Sequence, residues 1–212
     1  MKRYAAIVGV IGLLFLAGCV FLNPFVPGPG TSGGILFFDD FEDDNDDAWV
    51  SSTYHWNTSE GKFSFYQGYL GPRTGLTFVL EGSDWSDYTV EADVWTVGSD
   101  RAIGMILYAQ DDLSSMIIAW ASLGKVWWEV LSDGEVIFET DPVEPGLLAD
   151  REQHVEIVVE GDTYTYIVEG LERSTFVNTY YFEGMPGVAG TNNTPLLSPT
   201  FTVDNFRVTS LD

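Results

Sequence analysis

The sequence predicts an all-β chain: a two-sheet antiparallel sandwich of the jelly-roll kind, set behind an N-terminal leader and a flexible linker. Three observations carry this. From residue 35 onward, short runs alternate apolar and polar residues or are rich in β-branched ones. Turn-forming residues separate these runs at short intervals. No stretch past residue 35 shows a helical period. About ten to thirteen short strands in one domain argue for a sandwich.

The leader comes first. Lys2 and Arg3 form a basic start, Ala5 to Leu16 is an uncharged apolar core, and small residues follow. That is the layout of an export signal. Leu16-Ala17-Gly18-Cys19 at its end resembles the lipobox of bacterial lipoproteins, and Cys19 is the one cysteine in the chain. The resemblance implies cleavage after residue 18, lipidation of Cys19, and a mature chain tethered to a membrane by that lipid. The alternative is an uncleaved anchor, because apolar residues continue through Val20, Phe21 and Leu22. Val20 follows Cys19 where an Asp would mark inner-membrane retention, so the expected location is the bacterial cell envelope, on the outer membrane or cell surface.

Residues 19–34 then read as the lipidated Cys plus a Pro/Gly/Ser linker that cannot pack a core. Residues 35–212 are one domain's worth of chain. The whole chain is 45% hydrophobic and 15% aromatic, so this domain is expected to fold. Lipidation of Cys19 leaves no disulfide, so packing, hydrogen bonds or a metal must hold the domain. The chain has 32 acidic against 9 basic residues and a formal net charge of −23. Such a surface repels nucleic acid and anionic polysaccharide, which sets nucleic-acid binding aside.

The strands follow in order. Lys62 to Phe65, Tyr88 to Val94 and His154 to Val159 alternate or are β-branched. So do Ile103 to Tyr108, Ser115 to Ala121, Lys125 to Leu131, Glu135 to Glu139, Thr163 to Val168 and Phe201 to Val208. Gly71-Pro72, Gly98-Ser99-Asp100, Ser132-Asp133-Gly134, Glu160-Gly161-Asp162 and Pro186-Gly187 are the expected turns. Ser132-Asp133-Gly134 and Gly161-Asp162 mark hairpins.

Some of these segments also carry a family signature. The domain opens on Phe38-Asp39-Asp40-Phe41-Glu42 with Trp49 beyond, and continues with Trp56 and Glu60-Gly61-Lys62-Phe63. It then shows Trp85-Ser86-Asp87-Tyr88-Thr89-Val90-Glu91-Ala92 and Gly104 to Asp112, and ends on Phe201-Thr202-Val203-Asp204-Asn205-Phe206-Arg207-Val208. In this order the motifs resemble the concanavalin-A-like (laminin-G-like) jelly-roll superfamily across residues 35 to 210. The resemblance implies fold rather than function, because this architecture serves sugar binding, hydrolysis and adhesion alike.

Catalytic patterns find no full match. Laminarinase-type members of the superfamily carry Glu-x-Asp-x-x-Glu; here Glu91-Ala92-Asp93-Val94-Trp95 is followed by Thr96 in place of the second Glu. Glu91 and Asp93 then read as outward residues of a strand whose Val90, Ala92 and Val94 face the core. His55 and His154 are the two imidazoles, and neither stands in a nucleophile–base pattern.

Sugar recognition has better support, because aromatic rings cover the flat faces of sugars while carboxylates take hydroxyls. Alternation on Lys125 to Val130 sends Trp127 and Glu129 to the surface and Trp128 to the core. Trp95 shares the polar face of its strand with Glu91 and Asp93, and Tyr108 and Trp120 are expected to join the platform. Sugar-binding relatives carry an Arg where this chain has Tyr108, and Asn-Tyr-Tyr where it has Ser114-Ser115-Met116. Any ligand is therefore held in a different way.

Calcium is the second binding expectation. Asp43-x-Asn45-x-Asp47 has the spacing of a calcium loop, yet Ala48 replaces the turn glycine and Tyr54 the bidentate Glu. The family resemblance implies instead a structural calcium joining the first and last strands through Asp39 or Asp40, Glu42 and Asp204. The alternative is a solvated acidic loop. The expected function is non-catalytic recognition of a neutral glycan. A structural or adhesive envelope protein is the alternative, and a glycoside or keto-sugar hydrolase the third reading.

Overall fold

Fifteen strands and no helix make up the described part of the computed structural model, which covers residues 33–51, 56–65, 74–96, 101–192 and 201–211. The expected leader and Cys19, most of the expected linker, His55, Tyr54 and the expected turns at Gly71-Pro72 and Gly98-Ser99-Asp100 lie outside the described residues. The strands are β1 (Ile35–Asp39), β2 (Trp49–Ser51), β3 (Trp56–Ser59), β4 (Lys62–Phe65), β5 (Thr74–Val79), β6 (Tyr88–Thr96), β7 (Arg101–Ala109) and β8 (Met116–Ser122). They continue as β9 (Lys125–Ser132), β10 (Glu135–Glu139), β11 (Glu152–Glu160), β12 (Thr163–Val168), β13 (Leu171–Val177), β14 (Met185–Asn192) and β15 (Phe201–Ser210).

Two antiparallel sheets result. One has the order β13-β12-β11-β6-β15-β4-β3, with β1 also paired to β15; the other runs β10-β9-β8-β7-β14-β5-β2. β15 is long enough to serve two partners along the same edge. Its start pairs with β4 through Phe201–Val203, and its end pairs with β1 through Phe206–Thr209.

Alternation places the core between the sheets. From the first sheet Val90, Ala92 and Val94, Val155, Ile157 and Val159, and Tyr164, Tyr166 and Val168 point inward and are at most 1% exposed. From the second come Ile103, Met105 and Leu107, then Ile117, Ala119 and Ala121, then Val126, Trp128 and Val130. Trp128 is core, and its indole N–H donates to Ser174 Oγ at 3.0 Å. Each fully buried aliphatic or aromatic side chain here contributes roughly 1.5–3 kcal/mol of transfer free energy.

The short strands β2, β3 and β4 have three or four residues each and few ladder bonds. An aromatic chain compensates. Trp49 lies 5.7 Å from Phe41, 5.2 Å from Phe63 and 4.9 Å from Phe206, and Phe63 is 4.8 Å from Trp56. Phe65 and Phe201 stack at 4.8 Å with an interplanar angle of 1°. Gly190 makes room for that stack, since a Cβ there would meet the Phe201 ring at 1.6 Å.

The opening Asp-Asp-Phe motif has a physical role in this chain. Asp39 Oδ1 accepts the Phe41 N–H at 2.8 Å, while Oδ2 accepts the Trp49 indole N–H, also at 2.8 Å. That turn holds Phe41 at a φ of 53°, a strained left-handed value for a bulky residue, and drives its ring fully into the core.

Several elements differ from the sequence reading. β5, β13 and β14 join the sheets although none shows clean alternation. Pro186-Gly187, expected as a turn, lies inside β14. The register shifts there, between Met185 and Gly187 opposite β7, and a bulge is where a strand tolerates proline. Backbone crowding explains the neighbouring glycine: a Cβ on Gly187 would come 2.2 Å from the Thr77 carbonyl oxygen. The hairpin turns at Asp133-Gly134 and Gly161-Asp162 stand where expected, between β9 and β10 and between β11 and β12.

Trp49→Ala is expected to cost about 3–5 kcal/mol in urea unfolding, and Asp39→Ala about 1–3 kcal/mol through the orphaned indole and turn N–H groups. The double variant should fall short of the sum, because both act on one contact. Strict additivity would show that Asp39 does not hold Trp49.

Candidate functional site

The structure divides the five aromatic and acidic residues expected at a ligand platform among three places. Trp120 on β8 and Trp127 and Glu129 on β9 share the outer face of the seven-stranded sheet. Trp95 stands half-buried at the end of β6, on the outer face of the opposite sheet.

Tyr108 is not on a surface at all: it is 1% exposed, in the core beside Tyr88 at 5.7 Å and Tyr164 at 5.8 Å. Alternation from Ile106 would have turned it outward. A bulge intervenes, with Leu107 and Tyr108 set against the single residue Pro186 of β14, and Tyr108 takes a φ of 53°. Burial pushes its hydroxyl up to about 12.

The three residues on the seven-stranded sheet form one unit. Trp120 and Trp127 face each other across the β8–β9 pair and stack with centroids 6.0 Å apart and planes 19° from parallel. Their indole N–H groups both donate to Glu129, at 2.8 Å from Trp120 and 3.1 Å from Trp127. The carboxylate thus locks both rings, and its remaining lone pairs are left to accept from a ligand. Gly104 lies opposite Trp120 on β7. A Cβ there would come 2.9 Å from the Trp120 ring and 2.6 Å from Ile118, so the glycine lets the ring lie flat on the sheet.

Trp120 itself is 3% exposed, which makes it a support; the partly open groups are Trp127 and Glu129. Around them this outer face is apolar, with Phe78, Ile106, Met116, Ile118 and Ala189 buried on it and Leu131 half-buried.

Acid–base chemistry has little footing on this face. Glu139 of β10 stands opposite Glu129. It is exposed on an edge strand, however, and Glu129 is committed to two indoles.

The outer face of the eight-stranded sheet is polar and paired. His154 lies between Asp93, 2.9 Å from Nδ1, and Glu91, 3.4 Å from Nε2. Arg207 reaches Glu91 at 3.1 Å and lies over the Phe38 ring; Asn205 donates to Asp93 at 2.9 Å. Hydrogen bonding to Asp93 and then Glu91 raises the imidazole to about 10, and the bond from His154 lowers Asp93. Glu91 and Asp93 are thus the outward strand residues expected from their alternation, fastened to cations.

The expected calcium ligands do not converge. Asp40 Oδ1 accepts the Glu42 N–H at 3.3 Å. Asp204 accepts the Asn205 N–H at 2.8 Å and faces Lys62 Nζ at 3.4 Å. A cleft of about 300 Å³ is lined by Asp39, Asp40, Asp43, Asn45 and Asp47, but Asp43 and Asn45 close turns onto backbone N–H groups there. Among the described residues no group of three or more His, Cys, Asp or Glu side chains is placed to hold a metal.

No family model and no curated protein matches the chain. Solved structures do match in fold. A carbohydrate-binding module, CBM66 from Bacillus subtilis, superposes with a TM-score of 0.64 at 13% identity, over 77% of this chain and 96% of that one. A Bacillus licheniformis β-glucanase gives 0.62 at 12%, over 84% and 99%. The exoplasmic/lumenal domain of VIP36, in its Ca2+/Man3GlcNAc-bound form, gives 0.58 at 10%, over 78% and 84%. At these identities the likeness is one of fold: the chain is a jelly-roll β-sandwich of the kind found in carbohydrate-binding and glucanase domains.

The His154 cluster makes stability depend on pH. Its folded pKa lies above the unfolded value of 6.5, so its contribution is complete below that pH and is lost as pH climbs toward about 10. Asp93 is depressed, so its share is lost when pH falls below the ordinary carboxylate range. His154→Gln should cost about 1–2 kcal/mol near pH 6, allowing for solvent screening, and almost nothing near pH 10. Equal costs at both pH values in urea unfolding would show that the imidazole is not charged by this pair.

Proposed function

We propose that the sandwich binds a neutral glycan without catalysis, and that residues 35–212 are the exported recognition domain of a lipoprotein. Residues 1–18 would be its signal peptide, Cys19 its lipid anchor and residues 19–34 its tether, on the outer membrane or cell surface of a bacterium. One observation carries the glycan reading: a half-buried Trp127 ring, stacked on Trp120, beside a carboxylate fixed by both indoles. A flat ring next to an oriented acceptor is what a sugar's C–H face and hydroxyls need. Among the fold neighbours, one is named a carbohydrate-binding module and another was solved with Man3GlcNAc. Trp127 and Glu129 are the contact residues in this reading, Trp120 and Gly104 their supports; Trp95 stands on the other face and serves no part of the platform.

The structural or adhesive alternative draws on a separate observation, the buried apolar outer face around the platform, which has few polar groups to offer a sugar. The hydrolase reading draws on a β-glucanase among the fold neighbours, but Glu129 is held by two indoles and Glu139 stands exposed on the edge strand.

A glycan array probed with residues 31–212, a single compact unit, tests the proposal with and without calcium. Selective binding of a neutral glycan is expected, weakened at least about ten-fold by Trp127→Ala and weakened also by Gly104→Val, which displaces Trp120. Loss of binding without calcium would restore an ion to the account. Silence across neutral glycans in both buffers would overturn the glycan reading in favour of the structural one.

A further inference from the structure

The seven-stranded sheet ends on β10, whose five residues Glu135–Glu139 are all exposed. At its centre Val136 is 52% exposed, Ile137 51% and Phe138 38%. One edge of β10 pairs with β9; the other has no strand partner among the described residues. An edge with unpaired N–H and C=O groups and apolar side chains is a template for another strand. Beside it lies an apolar shoulder: the Phe138 ring is 5.7 Å from Phe176 and 6.1 Å from Tyr180, and Tyr180 is 39% exposed.

The flanking charges select the occupant. Glu135 and Glu139 bracket the apolar centre, with Asp133 just before it. A second copy pairing antiparallel about Ile137 would set Glu135 against Glu139 at both ends, and like charges directly opposite destabilise a strand pair. The net charge of −23 adds to that repulsion. A strand with basic ends meets the opposite field. We propose that β10 is a docking edge for an extended segment of a partner protein, apolar at its centre and carrying lysine or arginine at each end. The segment adds an eighth strand to the sheet. Its inward side chains cover Phe138 and Tyr180, and its basic ends meet Glu135 and Glu139.

Two short capped peptides of alternating valine and threonine, one with terminal lysines and one with terminal glutamates, are the probes. They are titrated at low salt into isotope-labelled residues 31–212 and followed by backbone amide shifts. The lysine peptide should bind at least about ten-fold tighter than the glutamate peptide, with shifts along β10 and at Phe176 and Tyr180. Ile137→Lys, which sets a cation at the exposed apolar centre where β10 shifts register against β9, should abolish binding of the lysine peptide. The exposed pair Glu135→Lys with Glu139→Lys should reverse the preference between peptides while leaving the fold intact. Binding without discrimination, shifts confined to other acidic surfaces, persistence in Ile137→Lys, or a dimer formed through β10 would each overturn the proposal. The peptide titration is read at β10 and the glycan array through Trp127→Ala, so the docking edge and the glycan platform stand or fall separately.

Discussion

Trp49 is the contact on which the rest of the sandwich depends. It sits where the two ends of the domain meet: Phe41 comes from the first turn and Phe206 from the last strand, and both pack on its ring. Its indole N–H is held by Asp39, the same carboxylate that bends the chain so that Phe41 can enter the core. Cys19, the one cysteine, lies outside residues 35–212, so the domain has no disulfide to join its ends. Aromatic burial takes that role, and each such ring buries a large area in one contact. The short strands β2, β3 and β4 are fixed in place by these rings more than by their few ladder bonds.

The legible part of the fold was the part where one physical rule acts alone. β6, β9, β11 and β12 have one face on the core and one on water, so alternation appears directly in their residues. The missed strands obey two constraints at once. β14 must leave room for Phe201 at Gly190 and for the β5 backbone at Gly187, and it accommodates a proline at a bulge; its sequence therefore looks like a turn. Tyr108 shows the same limit for the site. Nothing in its neighbours announces the bulge, and one extra residue in β7 carries a ring from surface to core. Trp127 and Glu129, on an uninterrupted strand, point outward as alternation requires.

The support beneath Trp127 was only partly visible for a different reason. Trp120 is outward by alternation, but a ring on an outer face can still be buried when its neighbours are large. Trp120 is covered on one side by the Trp127 stack and rests on the bare backbone of Gly104. Two indoles and a carboxylate then hold one another in place, so the group that a ligand would meet is ordered before it arrives. Preorganisation of that kind lowers the ordering cost of binding.

The two outer faces divide the polar work. The eight-stranded sheet carries Glu91, Asp93, His154 and Arg207 in one connected set, where each charge has an opposite within 3.4 Å. Charges consumed in this way contribute to holding β15, β6 and β11 in register and offer little to a partner. The seven-stranded sheet does the reverse: apart from Glu129 its outer face is largely apolar, and the exposed Glu135 and Glu139 sit at the β10 edge. A chain with an excess of negative charge repels its own copies at every orientation. That repulsion lets the molecule leave Val136, Ile137 and Phe138 open to water without inviting self-pairing. The acidic excess therefore acts as a filter, keeping an apolar edge usable for a partner of opposite charge while closing it to another copy of the same chain.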